Sequence, residues 1–370
     1  MKIVCITFSR SNDIQSPDEW HKRLSIFIGA WEILALEHKI TRIELVKFNG
    51  GEKRNGIEYI FFDPGTDKIL FPWSLYLKVK SLKPDIVFVA GLHFPLQVLQ
   101  LRILLPGSIK IIAQHHAEKP FHGIKKWLQR FADPCIEVYF FASKFIAQNW
   151  VQNGNICSIE KVREIMEVSS VFSGLSNGEF VRQATSAPPV FLFVGRLNTN
   201  KDPLVVLRAF YRLIKNYPSA RLIMIFQSNE LLSQIKKMTE SYKDAVLLAG
   251  KIPHEDMAAW YQKATFIISG SQYEGSGTAV CEAMSMGCIP ILPGIDSFLG
   301  ITNKGACGFL YKPGNEDSLV DIIKQALRAD FQEERKKAIL QFQNELSFTA
   351  IARKIQAVLD SLKSLKMESA

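Results

Sequence analysis

A chain of 370 residues exceeds the size at which a single hydrophobic core normally stops growing, so two domains of ordinary size are expected. Hydrophobic residues make up 47% and charged residues 22%, with 25 Phe, nine Tyr and six Trp, which excludes a disordered chain. The net charge of +9 divides into 22 Lys/Arg against 17 Asp/Glu over residues 1–175 and 23 against 19 afterwards. Counted this way the excess is even and has no dense basic run, which argues against a nucleic-acid partner and fits anionic ligands or a weak attraction to acidic lipid headgroups.

The first residues, Met1 to Arg10, hold an apolar core too short for a signal peptide and read as a first strand, Ile3 to Phe8. Nowhere do about 18 uninterrupted apolar residues occur. A cytoplasmic protein is therefore expected, with peripheral contact at the inner face of the membrane left open. Cys5, Cys135, Cys157, Cys281, Cys288 and Cys307 form no Cys-x-x-Cys pair and are read as reduced and mostly buried.

Short β-branched runs then alternate with longer amphipathic ones, the rhythm of βα units on a parallel sheet. In the first half the strands are expected at 3–8, 43–48, 86–90, 109–113 and 138–142, with a helix from Trp20 to Glu37. Residues Ser173 to Pro189 lack hydrophobic period and are rich in Gly, Ser, Asn and Pro, the best linker candidate. A second series follows at 190–194, 222–226, 245–248, 266–269 and 289–292, and a last amphipathic stretch, Phe348 to Leu365, could return across the domain junction. The expected domains are 1–175 and 188–347, with 348–370 as a crossover helix. Ligands of open parallel sheets lie beyond the carboxyl ends of the strands, so two sheets facing each other would flank a deep cleft.

After the strand 190–194, Gly195 permits a sharp turn, Asp202 reads as an N-cap and Pro203 as the first position of a helix. That helix is expected to bury Leu204, Leu207, Tyr211 and Ile214. Arg196 and Lys201 sit in the intervening loop. A planar fork and a mobile point charge together suit a diphosphate, although solvated loop charges would look the same. The stretch Ser269 to Gly287 is a strand end, a small-residue loop, a short helix and a glycine stop. Gly275 and Gly277 permit close backbone approach, and the amides from Ser276 to Thr278 at a helix start form a ready phosphate site. Glu274 reads as a loop acid. Glu282 falls on an otherwise apolar helix, where a carboxylate needs a partner, and it does not fit a capping box, because Cys281 stands three residues after Thr278.

The stretches Phe191 to Ala209, Val246 to Met257 and Ser269 to Gly287, in that order, resemble the retaining glycosyltransferase group 1 family, also called family 4, of the GT-B fold. The run Gly305 to Leu319 resembles the family's ending, so the likeness covers roughly residues 190–330. It implies an α/β protein of two Rossmann-like domains facing each other across a cleft, with an N-terminal acceptor-side domain and a C-terminal donor-binding one. It further implies that Arg196 and Lys201 hold the donor pyrophosphate with the amides of 276–278, Glu282 the ribose, and Glu274 the transferred sugar, with backbone near Ile252 facing the nucleobase.

In the first half, Gln114-His115-His116-Ala117-Glu118 follows a strand, and a histidine there matches the family's N-domain histidine. His116 is the preferred match and His115 the alternative. Adjacent residues on an extended segment point opposite ways, which disfavours joint metal ligation. The family's Gly-Gly loop after the first strand has no counterpart in Phe8 to Gln15. The stretch Lys119 to Phe131 mixes cations with aromatics and reads as a solvated helix face that could touch anionic lipid or a charged glycan.

No Asp-x-Asp occurs, so neither a metal nor another cofactor is expected. The expected activity is transfer of a sugar from a nucleotide-sugar donor to a glycan or lipid-linked acceptor. The resemblance implies retention of configuration. The alternatives are another GT-B enzyme, such as an epimerase or phosphorylase, and a non-catalytic nucleotide-sugar-binding module.

Overall fold

A computed structural model describes residues 1–65, 70–172 and 188–368, with side chains as far as 364. Most of the expected linker, residues 173–187, lies outside the described residues. The chain forms two compact units: Met1–Ser169 together with Phe348–Ala370, and Ser170–Ser347.

The first unit carries strands β1 (Lys2–Thr7), β2 (Lys39–Leu45), β3 (Gly50–Arg54), β4 (Ile57–Phe62), β5 (Ile86–Ala90), β6 (Lys110–Gln114), β7 (Val138–Phe141) and β8 (Val162–Glu164). They form one sheet in the order β3-β4-β2-β1-β5-β6-β7-β8. Every pair is parallel except β3 with β4, whose hairpin turns at Asn55-Gly56, both at positive φ. Buried Val4, Ile6, Val87, Val89 and Ile111 pack one side of the sheet into a continuous core.

Helix Pro17–Leu34 opens with Ser16, whose hydroxyl accepts from the Glu19 amide, and Pro17 takes the first turn, where its missing N–H costs nothing. Against it packs the final helix, Phe348–Glu368. Gly29 makes the room: a Cβ there would stand 2.6 Å from the Phe348 ring. The C-terminal stretch thus returns to the first unit.

The second unit carries β9 (Val190–Val194), β10 (Arg221–Ile225), β11 (Val246–Gly250), β12 (Phe266–Ile268), β13 (Ile289–Pro293) and β14 (Phe309–Tyr311), all parallel, in the order β11-β10-β9-β12-β13-β14. Renumbered within the unit this is 3-2-1-4-5-6, the doubly wound order whose direction reverses between its first and fourth strands. The first unit reverses in the same way between β1 and β5. Ligand sites of such sheets are expected at these two reversals.

Asp202 caps helix Pro203–Ile214, accepting from the Val205 amide at 3.2 Å. The helix is rotated from the expected face: Val205, Val206, Ala209, Phe210 and Leu213 are fully buried with Leu207, while Leu204, Tyr211 and Ile214 sit at the margin. The sheet and helix Glu316–Arg328 press on it from two directions, which widens the buried stripe beyond a single i, i+3/i+4 row. All six cysteines are free, and Cys5, Cys281, Cys288 and Cys307 are buried.

Candidate active site

In the second unit the loops after β9 and β12 meet at the reversal. The Gln272 amide donates to the Asn200 carbonyl at 2.7 Å, and the Asn200 side chain donates to the Tyr273 carbonyl at 3.0 Å. Gly270 lets them touch, since a Cβ there would lie 2.3 Å from the Asp202 carbonyl oxygen. Residues some 70 positions apart thereby share one pocket wall. The Lys201 ammonium pairs with Glu274 Oε1, and the Ser271 hydroxyl donates to the same oxygen at 2.7 Å. Both partners of the ion pair are largely shielded from water, so neither is a casual surface charge. Arg196, on the same loop, is exposed and has no ion-pair partner among the described residues.

Gly275 is buried in the bend that follows Glu274, and Ser276 is half-buried beside it. Helix Thr278–Ser285 begins at Gly277, whose φ of +58° needs glycine and whose missing side chain leaves room for Phe298. No side chain caps this helix. Its first amides and the positive end of its dipole therefore remain available to an anion, just after the loop whose Glu274 pairs with Lys201.

Four residues along that helix, Glu282 is buried and doubly engaged. The Tyr261 hydroxyl donates to one oxygen at 2.9 Å, and His254 Nε2 meets the other at 2.6 Å. The hydrogen bond to Glu282 holds the His254 ring above the ordinary histidine range, against a smaller opposing effect of burial. A carboxylate accepts about four hydrogen bonds, so two lone pairs remain for a ligand hydroxyl. Ile252, half-buried, leads from β11 into the turn that carries His254. The His254–Tyr261 clasp is not legible in the sequence. Its only signal was a buried acid without a partner.

The first unit has its own cavity at the reversal, of 260 Å³, lined on one side by Thr7, Ser9, Ala90 and Gly91 at the strand ends. His116 lines it; His115 does not. The His115 ring lies stacked 4.5 Å from Phe141 in the core, where Nε2 donates to the Glu118 carbonyl at 2.8 Å and Nδ1 accepts from the Ala117 amide at 3.4 Å. Burial pushes its pKa down despite the nearby Glu118. His116 behaves oppositely. Burial disfavours its charged form, but its ion pair with Glu167 outweighs that and holds it above the ordinary range.

Glu118, which sequence reasoning left without a role, is the organiser of this wall. Ala117 adopts a left-handed backbone, φ +76°, which folds Glu118 back so that its carboxylate accepts the amides of Leu92 and His116, each at 2.6 Å. It thereby ties the β5 and β6 loops together. Facing them across the cavity, Arg42 and Glu44 form a buried pair at 3.0 Å, and Phe348, Ile351 and Ile355 of the last helix close the apolar side.

Two doubly wound units, each with one reversal of strand order, make the GT-B fold, and solved structures agree on that fold. A glycosyltransferase from Rickettsia africae superposes over 98% of both chains with a TM-score of 0.74 at 16% identity. Anabaena HepE, in complex with UDP, does so over 98% of this chain and 100% of its own with a TM-score of 0.71 at 15% identity.

Residues 179–343 match the family described as glycosyl transferases group 1. It is 28% identical over 255 residues to a GDP-mannose:cellobiosyl-diphosphopolyprenol alpha-mannosyltransferase of Xanthomonas oryzae pv. oryzae, an alignment spanning 66% of each chain. A poly(glycerol-phosphate) alpha-glucosyltransferase of Bacillus subtilis is 32% identical over 135 residues, 36% of this chain and 20% of its own.

Proposed function

We propose that the chain transfers a hexosyl group from a nucleotide-diphosphate sugar to a hydroxyl of a glycan or lipid-linked acceptor, with retention of configuration and without a metal. The observation that carries this reading is the Lys201–Glu274 pair just ahead of an uncapped helix start, with Arg196 exposed and without an ion-pair partner among the described residues on the loop that carries Lys201. Two cations and a set of free amides compensate the charge that a diphosphate develops as it leaves, the largest electrostatic demand of the reaction. The xanthomonad relative is named for GDP-mannose and a diphosphopolyprenol-linked acceptor, which supports α-mannosyl transfer to a lipid-diphosphate glycan.

In this reading the bond from the anomeric carbon to the diphosphate oxygen breaks, and its electron pair leaves with the nucleoside diphosphate. The acceptor oxygen bonds the anomeric carbon on the same face, and its proton passes to the departing phosphate. Glu274, steadied by Lys201 and Ser271, orients the sugar hydroxyls rather than attacking. Glu282, held by Tyr261 and His254, takes the ribose, with the backbone at Ile252 beside the base. His116, paired with Glu167, belongs to the acceptor side.

Calorimetry with GDP-mannose, UDP-glucose and ADP-glucose, with and without magnesium, followed by turnover on a polyprenyl-diphosphate disaccharide, tests this. Metal-independent binding of one donor and an α-linked product are expected. Failure of all three to bind, an inverted product or loss of turnover with a chelator would overturn it. Binding without hydrolysis or transfer would make the chain a nucleotide-sugar-binding module instead.

A further inference from the structure

Charge that looks even when counted by halves is concentrated in one segment. Residues 70–132 carry nine Lys/Arg against two acids, Asp85 and Glu118, so nine minus two leaves +7 of the chain's +9 within this segment. Glu118 is buried, and Asp85 accepts the Lys2 amide at 2.9 Å.

Three helices present that segment: Trp73–Ser81, Pro95–Leu104 and Gly123–Ala132, packed side by side. The connections that contain them all run the same way along the sheet, from β4 to β5, β6 and β7, so right-handed crossovers lay them on one face. Helix Pro17–Leu34, whose connection runs the opposite way, covers the other.

The outer surface of these helices is apolar where a solvated face should be polar. Ile103 is 83% exposed, Ile124 81%, Phe131 64% and Trp127 60%, joined by Trp73 and Leu77. Ile124, Trp127 and Phe131 stand at i, i+3 and i+7, a single stripe directed outward, while Gln129 and Ala132 of the same helix face the core. Scattered exposed hydrophobics are ordinary; an aligned aromatic stripe is not. Lys78, Lys80, Lys125, Lys126 and Arg130 surround it, and none has a carboxylate within ion-pair distance among the described residues.

We propose that this face docks on an anionic lipid bilayer, with Ile124, Trp127 and Phe131 entering the headgroup–acyl boundary and the surrounding cations meeting lipid phosphates. An amphipathic helix with aromatics on one side and unpaired cations along its flanks has the chemistry of an interfacial anchor. A protein partner would need acidic groups to match the cations and a fitted apolar surface, whereas an anionic bilayer offers both as a continuum. No described helix is long and apolar enough to cross a membrane, so the contact is peripheral. The proposal stands whichever sugar or acceptor the chain uses.

The test mixes the full chain with vesicles of phosphatidylcholine alone and of equal parts phosphatidylcholine and phosphatidylglycerol. Partition into the anionic vesicles is expected to exceed that into the neutral ones by about tenfold or more and to fall with salt. Tryptophan emission should shift to the blue on binding, because Trp73 and Trp127 are exposed whereas Trp20, Trp31 and Trp150 are already buried. The double variant Trp127→Ser/Phe131→Ser should lose most of the partition and the remaining shift at an unchanged melting temperature. The triple variant Lys125→Gln/Lys126→Gln/Arg130→Gln should bind both vesicles alike. No preference for anionic vesicles, or equal partition by the serine variant, overturns the proposal. So does a wild-type dimer in light scattering that the serine variant disperses, which would make the face an interface between copies.

Discussion

The two units solve the same topological problem with different materials. Each reverses its strand order once and places charged groups at the reversal, yet the second unit builds its wall mainly from two short continuous stretches, 195–202 and 269–282, joined at Glu282 by His254 and Tyr261. The first draws on Arg42, Glu44, His116, Glu118 and Glu167, contributed by separate segments of chain. The lesson is that a wall made from continuous loops depends on backbone approach, as at Gly270, whereas a wall made from scattered residues depends on a buried hub, as at Glu118.

The largest expected effect lies at the second reversal. Glu274→Gln keeps the shape but removes the charge opposite Lys201, and turnover should fall by about 10²–10³ while donor affinity changes by less than about tenfold. Full turnover would mean that the loop pair is structural only. Next, Arg196→Ala or Lys201→Ala should each weaken donor binding by about 10–100-fold in calorimetry, one charged hydrogen bond's worth. Equal affinity would remove the diphosphate from this wall.

Smaller effects compare how the two units are braced. Gly270→Ala should lower stability to urea by about 1–3 kcal/mol, since its Cβ would meet backbone that cannot yield. Gly29→Ala should cost somewhat less, because the atoms nearest its Cβ belong to the Phe348 side chain rather than to backbone.

The smallest effect is a slope. The pKa of His116 is raised in the fold, so its ion pair with Glu167 contributes fully below the unfolded histidine value of about 6.5 and is lost as pH rises through the folded value. His115, pushed down by burial, acts the other way and costs stability as pH falls. Melting temperatures measured from pH 5 to 9 should fall on the alkaline side in the wild type, and His116→Gln should flatten that fall.

Much of the second unit is legible from its residues. β9 is an apolar run of five residues, and Asp202-Pro203 announces a helix start that the structure forms. The hairpin β3–β4 is not legible from alternation, because Gly50 to Arg54 is almost wholly polar and exposed. Its Asn55-Gly56 turn was the available signal. β8 and β14, of three residues each, are too short to show a period. The partners of Glu282 were unreadable for another reason. His254 and Tyr261 lie 28 and 21 residues upstream, and only the packing of β11, β12 and the intervening helix brings them to it.

The return of helix Phe348–Glu368 has a consequence for the order in which this chain can mature. Its apolar face closes a seam along Pro17–Leu34 and one wall of the first unit's cavity, yet it is translated only after the whole of residues 170–347. The first unit to emerge is thus the last to be finished, holding an open apolar groove for the time it takes to synthesise its neighbour. A nascent chain halted before residue 348 should therefore present a complete second unit beside a first unit that still binds chaperones.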